Sequence, residues 1–579
     1  MHVNITRRTV TSNVEFPDGM HPVLKRVYAA RNINSVDDLD YGLDRLHPFK
    51  KLSGIDKAVD VLVDVLESQK KILIVADFDA DGATSCALAM RGLHAMGAAH
   101  VHYVVPNRFE FGYGLSPEIV RVSADHEPDV ILTVDNGIAS IEGVTLARSM
   151  GIDVVITDHH LPGNMLPPAN AIVNPNLPGD SFPSKHLAGV GVMFYILIAL
   201  RSALRERDWF AKNRIKEPNL AAFLDLVALG TVADVVMLDH NNRILVAQGL
   251  ARMRSQRCCP GISALLKAAN RNPRLLTAQD LSFFVAPRLN AAGRLTDMSL
   301  GIECLLADDM DAADQMARQL DELNRERKTI QEEMQEQALQ ELEQVTLDNS
   351  TSMPAGVCLF NGNWHQGVVG ILASRIKDRL HRPVIAFARD QDGMVKGSAR
   401  SIPGIHIRDV LDTIANRHPE IISKFGGHAM AAGLTLAEQH LETFRSLFAD
   451  TVQDFLPDDD LHQHYLSDGP LNDNEISFEL ANSIRVSGPW GQGFPEPQFD
   501  GTFEIVSCKV VGEKHLKMQL RQASESRVIE AIAFNQEEAD WCDPNNRIEV
   551  IYRLDINEFA GRKTLQLVIE NLQPEPALR

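Results

Sequence analysis

The stretch KILIVADFDADG, residues 71–82, decides the fold. Its apolar run has the length of a strand, and three Asp residues at alternate positions lead from it into a glycine turn. Carboxylates this close repel one another unless a cation neutralises them. The stretch therefore predicts a buried strand that ends in a metal-binding loop. An EF-hand loop also alternates Asp residues, but the later Glu and the flanking helices are missing; an Asp-rich turn without metal stays an alternative.

Four more apolar runs of strand length end in polar residues. They are HVHYVVPN (100–107), DVILTVDN (129–136), DVVITDHH (153–160) and NAIVNP (170–175), and helix-like stretches lie between several of them. Alternation of this kind predicts an α/β fold with a parallel sheet covered on both faces. In such sheets the ligand site lies at the carboxyl ends of the strands.

The residues at these strand ends predict a metal centre. Asp135 ends one run, Asp158-His159-His160 ends another, and Asp234 lies in GTVAD (230–234). Singly, a His pair on the surface or an Asp that caps a helix would explain them. Together with the first motif they supply enough carboxylates and imidazoles for two octahedral ions that share a carboxylate, and imidazole favours Mn²⁺ over Ca²⁺. Phosphoester hydrolysis is the reaction that this arrangement serves best.

Periodicity and composition divide the chain into six parts. We predict an N-terminal cap (1–44), the parallel-sheet domain (45–300), a long charged connecting helix (301–353), a second, smaller α/β domain (354–449), an acidic linker (450–480) and a C-terminal β domain (481–579). For the helix, an ordinary bundle helix is the alternative. Five short strands at the C-terminus predict a barrel like the OB-fold.

The net charge and the cysteine content say less about the ligand and the cellular location of the protein. The net charge of −20 neither supports nor excludes DNA as a ligand, because residues 375–408 carry eight Lys or Arg against three Asp. The seven scattered Cys residues predict reduced thiols. The N-terminus has no apolar signal segment, and the run 187–200 is shorter than a membrane span. We therefore expect a cytoplasmic protein with no membrane partner.

At these residues the chain resembles the DHH phosphoesterase superfamily and, within it, the bacterial RecJ single-strand-specific exonucleases. The resemblance runs through nearly the whole chain. Its motifs are DFDADG (77–82), VDNG (134–137), DHH (158–160), GTVAD (230–234), PRLNAAGR (287–294), WHQGVVGI (364–371), GSARS (397–401), GGHAMAAG (426–433) and GQGFPEP (491–497). Ala76, Thr296 and Phe494 depart from the family pattern, and none of them is an expected metal ligand.

The resemblance implies the roles of particular residues. Two Mn²⁺ or Mg²⁺ ions would be held by Asp77, Asp79, Asp81, Asp135, His159, His160 and Asp234. Asp81, Asp135 and His160 are the expected catalytic residues, with Asp135 bridging the ions and His160 contacting the scissile phosphate. The second α/β domain resembles the DHH-associated domain, which grips nucleic acid. The expected nucleic-acid contacts are Arg108, Tyr113, Arg288, Asn290, Arg294, Ser398, Arg400, Gly426, Gly427 and His428.

The resemblance also implies the activity. It is 5′→3′ hydrolysis of single-stranded DNA to 5′-mononucleotides in recombination and repair, with the strand threading between the two lobes. Single-strand-binding protein and a helicase are the expected partners. The rivals are another DHH activity on a small substrate, such as pyrophosphate or a dinucleotide, and a DNA-binding scaffold without catalysis. The barrel argues against the first, and the intact Asp and His set against the second.

Overall fold

The computed structural model describes residues 4–10, 14–106, 114–348, 353–456, 464–512, 515–522, 527–536, 540–559 and 561–575. The chain forms two compact units. The first contains Ile5–Asp321 and Leu466–Arg579, and the second contains Met1–Asn4 and Glu322–Tyr465. The predicted parallel-sheet domain and C-terminal barrel therefore belong to the same unit.

The first unit is built on a parallel sheet. It is preceded by β1 (Asn4–Arg7), α1 (Pro22–Ala29) and α2 (Ile55–Glu67). The strands are β2 (Ile72–Ala76), β3 (Val101–Val104), β4 (Val130–Val134), β5 (Asp153–Thr157) and β6 (Ala171–Val173), in the order β3-β2-β4-β5-β6. Every residue of β2 and β4 is buried, as in a sheet that is covered on both faces. The predicted α/β fold class is confirmed.

Helices follow the strands and continue beyond the sheet. They are α3 (Ala80–Ala95), α4 (Pro117–Ala124), α5 (Ile141–Ser149), α6 (Gly189–Glu206), α7 (Trp209–Lys212), α8 (Leu224–Ala233), α9 (His240–Arg254), α10 (Pro260–Ala268), α11 (Ala278–Asp280), α12 (Ala286–Leu295) and α13 (Ser299–Leu306). A π-helical turn, Leu281–Val285, joins α11 to α12. Among the described residues, no helix combines the length and the apolar character that crossing a membrane requires.

A long helix leads from the first unit into the second. α14 (Met310–Asp348) has 39 residues and contains neither Gly nor Pro. Its buried side chains, among them Ala317, Leu320 and Ala338, form a narrow stripe on an otherwise charged helix. The predicted long helix is confirmed, although α13 is a separate helix that lies before it.

The second unit has a mixed sheet. Its elements are β7 (Val357–Phe360), α15 (Val369–Leu380), β8 (Val384–Arg389), β9 (Met394–Arg400), α16 (Ile407–Arg417), β10 (Ile422–Gly427), β11 (Ala431–Ala437) and α17 (Leu441–Phe455), followed by the short β12 (His464–Ser467). The strand order is β10-β11-β9-β8-β7. Only β7 and β8 are parallel among these pairs. Strand β9 alternates between buried and half-buried residues, so one of its faces packs on the core.

The C-terminal segment completes the first unit as a closed barrel. After α18 (Phe478–Val486) come β13 (Phe499–Val511), β14 (His515–Gln522), β15 (Val528–Phe534), β16 (Arg547–Phe559) and β17 (Arg562–Pro574). They close in the order β13-β14-β15-β17-β16, with β15 and β17 parallel. The buried Phe499, Phe503 and Tyr552 fill the barrel. The predicted OB-like barrel is confirmed.

Candidate metal centre and nucleic-acid interface

Three strands of the parallel sheet end side by side, and an acid follows each of them. The last residues of β2, β4 and β5 are paired in register. The next residues are Asp77, Asp135 and Asp158, and all three are buried. Because parallel strands share their carboxyl edge, the sheet alone brings three carboxylates to one place.

The turn after β2 adds two more carboxylates. Asp79 caps α3, since its Oδ1 accepts hydrogen bonds from the amides of Asp81 (2.9 Å) and Gly82 (3.1 Å). A side chain at Gly82 would overlap the backbone of Asp77. The tight turn therefore holds the first motif as one compact acidic loop, which explains its glycine.

The N-terminus of α6 holds the carboxylate of Asp81. The amides of Gly189 (2.6 Å) and Val190 (3.0 Å) each donate a hydrogen bond to it, and the partial positive charge of a helix N-terminus favours an anion there. Gly189 has no room for a side chain, because a Cβ atom would lie 2.6 Å from Cβ of Asp135. The close approach of α6 thus fixes Asp81 and Asp135 together.

Asp135 has an uncommon backbone conformation. Its φ angle is +63°, in the left-handed region that costs a residue other than glycine about 1 kcal/mol. Its amide donates to the carbonyl of Thr157 (3.0 Å). The buried side chain of Asn136 donates to the carbonyls of Val75 and Val134. These bonds hold the turn after β4, and such strain is concentrated at functional sites.

Asp158 organises the two histidines that follow it. Its Oδ1 accepts hydrogen bonds from the amides of His159 (2.7 Å) and His160 (3.0 Å) and lies 2.7 Å from Nδ1 of His160. Its other oxygen accepts from the amide of Ile138 (2.8 Å). A carboxylate can only accept, so Nδ1 of His160 carries the proton and Nε2 is the nitrogen left for a ligand.

His159 points into the acidic cluster. Its Nε2 lies 3.1 Å from Oδ1 of Asp135, 3.5 Å from Oδ2 of Asp234 and 4.0 Å from Oδ2 of Asp81. Three groups of ligand atoms have all members within 4.8 Å of one another: Asp135 with His159 and His160, Asp81 with His159 and Asp234, and Asp77 with Asp79 and Asp135. The structure therefore brings together all seven residues predicted as metal ligands.

Burial and mutual repulsion make the ionised form of these acids unfavourable. Burial, reinforced by Asp79, raises the pKa of Asp81 to about 7. Burial and neighbouring acids also raise the pKa values of Asp77, Asp135 and Asp234. A site that must hold these groups ionised at neutral pH needs positive charge.

The residues fit a divalent ion. Burial, reinforced by His160, lowers the pKa of His159 to about 4, and the ring also hydrogen-bonds to the backbone of Leu187. Nε2 is buried and forms no hydrogen bond with any residue that the structure describes. A neutral ring nitrogen that faces carboxylate oxygens is unfavourable unless a cation lies between them. Carboxylate and imidazole together suit Mn²⁺, and carboxylates alone suit Mg²⁺.

The segment that carries Asp234 is held by the GQGFPEP motif. Asp234 is the C-cap residue that follows α8, and Leu238, four residues later, donates its amide to the carbonyl of Gln492 (2.7 Å). Arg243 donates to the carbonyl of Leu238 (2.9 Å), and its guanidinium lies 4.4 Å from the centre of the Phe494 ring. The motif, although it lies more than 250 residues later in the chain, thus supports the segment that carries Asp234.

Family models match three parts of the chain. The DHH family N-terminal domain matches residues 71–231, the DHHA1 domain residues 353–454, and the RecJ OB domain residues 467–571. The single-stranded-DNA-specific exonuclease RecJ of Salmonella typhimurium is 50% identical over 98% of this chain and 99% of its own length. The chain belongs to the RecJ family. The membership predicted from the motifs is confirmed.

Solved structures of RecJ also resemble the structure of this chain. RecJ from Thermus thermophilus in complex with Mn²⁺ matches with a TM-score of 0.78 at 29% identity, over 96% of this chain and 76% of that one. The same protein in complex with Mg²⁺ matches with a TM-score of 0.73 at 27% identity, over 96% and 75%. This relative therefore binds Mn²⁺ and also Mg²⁺, the two kinds of ion that the sequence motifs predict.

Three predicted nucleic-acid contacts lie on α12 in the first unit. Arg288 pairs with Asp321 at 2.7 Å. Asn290 accepts a hydrogen bond from the amide of Ala80 (2.8 Å), so it touches the first acidic motif. Arg294 is half-buried on the same helix. Arg108 and Tyr113, also predicted as nucleic-acid contacts, lie outside the described residues.

The other predicted contacts lie on the sheet of the second unit. Arg400 Nη1 donates to Ser398 Oγ (3.0 Å) and to the carbonyl of Ala399 (2.8 Å). Ser398 is paired with Gly433, which is paired with Gly426 on the next strand. Gly427 has φ +147°, and the amide of the exposed His428 donates to the carbonyl of Ala431 (2.8 Å).

Packing does not require a glycine at position 426. A Cβ atom there would meet nothing within 4 Å, and its φ angle is outside the left-handed region. Gly427 differs, because its φ angle and the nearby backbone of Ala432 both restrict a side chain. A glycine that the fold does not require leaves the backbone open to a ligand.

Sequence reasoning missed residues that position the centre. Asp158 was recognised in its motif, but not as the acceptor that orients both histidines. Asn136 and Gly189 were not singled out, and neither was Arg243. The sequence offered a clue to only two of these residues. Asn136 directly follows an expected metal ligand, and Gly189 lies at the start of an apolar helix. The contact between Arg243 and Phe494 joins residues 251 positions apart, so no local pattern could reveal it.

Proposed function

We propose that this chain is a single-strand-specific exonuclease that hydrolyses phosphodiester bonds of DNA from the 5′ end and releases 5′-mononucleotides. The observation that carries the proposal is the convergence of five carboxylates and two imidazoles at one edge of the parallel sheet, in a chain of the RecJ family. Such an enzyme acts in DNA recombination and repair.

The proposal assigns the metal ligands by their position. Asp77, Asp79, Asp81, Asp135, His159 and Asp234 would hold two Mn²⁺ or Mg²⁺ ions. Asp135 and His159 each belong to two of the three ligand groups, and Asp135 suits the bridging position because a carboxylate offers two oxygens whereas the ring offers one free nitrogen. When bound, the ions would lower the pKa of a water and stabilise negative charge on the phosphate. The buried acidic loop and α6 keep their ligands fixed before substrate arrives.

His160 has the role of contacting the scissile phosphate. Its hydrogen bond to Asp158 fixes the ring orientation, and Nε2 can then donate to a phosphate oxygen. Although burial opposes it, that hydrogen bond raises the pKa of His160 to about 9. A protonated imidazole is a suitable partner for a phosphate anion.

The second unit would hold the strand by its phosphates. Ser398 and Arg400 supply a hydroxyl and a guanidinium on one face of β9, and Gly426, Gly427 and His428 supply an open backbone. On α12, Arg288 and Arg294 would add phosphate contacts, and Asn290 would act next to the first acidic motif. Arg108 and Tyr113 would also contact the strand.

Partners and location belong to the same proposal. A nuclease that needs unpaired DNA depends on a helicase to expose it and on single-strand-binding protein to keep it open, so we propose both as partners and the cytoplasm as the location. A rise in the rate of degradation of a tailed duplex on adding each protein would test the partners.

One assay tests the activity. Single strands labelled at the 5′ or the 3′ end, blunt duplex, dinucleotide and pyrophosphate are incubated with Mn²⁺ or with chelator. The expected result is metal-dependent release of mononucleotides from single strands, starting at the 5′ end. Hydrolysis of pyrophosphate or dinucleotide alone, or DNA binding without hydrolysis, would overturn the proposal.

A further inference from the structure

An aromatic side chain is exposed beside the helix that touches the metal centre. Phe283 lies in the π-helical turn and is 69% exposed, and its neighbour Phe284 is 37% exposed. Leu281 and Val285 of the same turn are buried, so the turn is anchored without the two rings. The ring of Phe283 is therefore accessible to a ligand, and π-helical turns are frequent at functional sites.

The turn lies between the barrel and the metal centre. At one end of this helical segment, Gln279 hydrogen-bonds to Glu496 (2.6 Å), which also accepts from Arg553 of β16 (2.7 Å). At the other end, Asn290 accepts from the amide of Ala80 in the first acidic motif. Phe283 precedes Asn290 by seven residues, roughly 10 Å along a helix.

Phe283 lies in a basic stretch of the chain, although Lys267, Arg271 and Arg288 of that stretch pair with Asp314, Asp280 and Asp321. Residues 252–294 contain eight Lys or Arg and one acid, a balance of +7 in a chain of net charge −20. Arg271 lies over the ring of Phe284 at 3.6 Å, and Arg288 donates to the carbonyl of Phe284. Arg274 and Arg257 are exposed. This stretch is more basic than residues 375–408.

We infer that Phe283 is a base-stacking subsite for single-stranded DNA, and that Arg271 and Arg274 hold the phosphates beside it. The inference rests on the proposed function. Every base offers an aromatic face, so an exposed ring among arginines binds a single strand without regard to sequence. A duplex has no free base faces, so the subsite also favours unpaired DNA.

Binding of a labelled single strand to the full-length enzyme in chelator tests the inference without hydrolysis. Phe283→Ala should weaken binding between about fivefold and a hundredfold, while Phe283→Tyr should restore it. Phe478→Ala, which removes another exposed aromatic residue, is the matched control and should bind as the unaltered enzyme does. Arg274→Ala should lower the slope of log affinity against log salt by about 0.7.

Strands with one abasic position separate stacking from a general structural effect. The unaltered enzyme should lose affinity when the abasic position falls at one register, and Phe283→Ala should be insensitive to that position. Equal affinity of Phe283→Ala and the unaltered enzyme, or an equal loss with every strand, would overturn the inference. An enzyme that still degrades single strands in either case leaves the proposed function intact, whereas one that neither binds nor cleaves them refutes that function itself.

Discussion

The parallel sheet and the mixed sheet of this protein present their polar residues in opposite ways. At the edge of the parallel sheet, Asp77, Asp81 and Asp135 are buried, hydrogen bonds fix their positions, and the backbone of Asp135 is strained. On the mixed sheet, Ser398 and Arg400 are half-buried, and Gly426 is open. The difference separates two tasks. Chemistry needs groups that are fixed before substrate arrives, whereas holding a strand needs accessible groups that tolerate movement.

The largest expected effect is at the buried edge. Asp135→Asn removes a charge and leaves the shape unchanged, so turnover should fall by a factor on the order of 10³ or more. Binding of single strands in chelator should stay within about threefold, because the mixed sheet is intact. The melting temperature of the metal-free protein should rise, since one like charge is gone. Near-normal turnover would reject Asp135 as the bridging ligand.

Because Arg243 helps to position the segment that carries Asp234, changing Arg243 should weaken metal binding. Arg243→Lys keeps the charge but loses the planar group that faces Phe494 and reaches the carbonyl of Leu238. Mn²⁺ binding, followed by electron paramagnetic resonance, should weaken by about tenfold, in the range found when residues around ligands are changed. Lys212→Ala, on an exposed helix end, should leave Mn²⁺ affinity unchanged. Equal affinities in all three proteins would show that the GQGFPEP motif does not position Asp234.

On the mixed sheet the expected effect is on binding. Arg400→Ala should weaken binding of single strands by about tenfold and lower the salt slope by about 0.7, while turnover at saturating DNA stays within about threefold. Arg389→Ala is the matched control, because this residue of the same sheet is held by Glu438. A normal salt slope in Arg400→Ala would exclude a phosphate contact.

A smaller effect is expected at Gly426. Gly426→Ala should keep its melting temperature, because there is space for the methyl group. Binding of single strands should weaken by about twofold to tenfold if the backbone meets the strand there. Unchanged binding in a stable variant would mean that no ligand approaches this position.

The buried acids should also make the melting temperature of the metal-free protein depend on pH. The pKa of Asp81 is raised to about 7 from 3.8, so the folded metal-free protein binds more protons than the unfolded chain. The resulting stability is fully present below about pH 4 and is lost as the pH rises through about 7. The melting temperature of the metal-free protein should therefore fall from about pH 5 to about pH 8, and Mn²⁺ should abolish the fall. A fall of the same size with Mn²⁺ bound would contradict this origin.

Local patterns made the fold and the ligands predictable. The strand that precedes Asp77 is visible in its apolar run, and Asp135 and His159 follow runs of the same kind, so topology alone predicts their convergence. The positions of Asn290 and Arg288 were not predictable in the same way. Their contacts with Ala80 and Asp321 depend on tertiary packing, which no local spacing specifies.

The support of Asp234 by the GQGFPEP motif has a consequence for biosynthesis. A ribosome makes residues 234–243 long before it makes Gln492 and Phe494. Until then, the amide of Leu238 and the guanidinium of Arg243 lack the partners that they have in the finished protein. A nascent chain consequently carries Asp234 without this support until the GQGFPEP motif has been made.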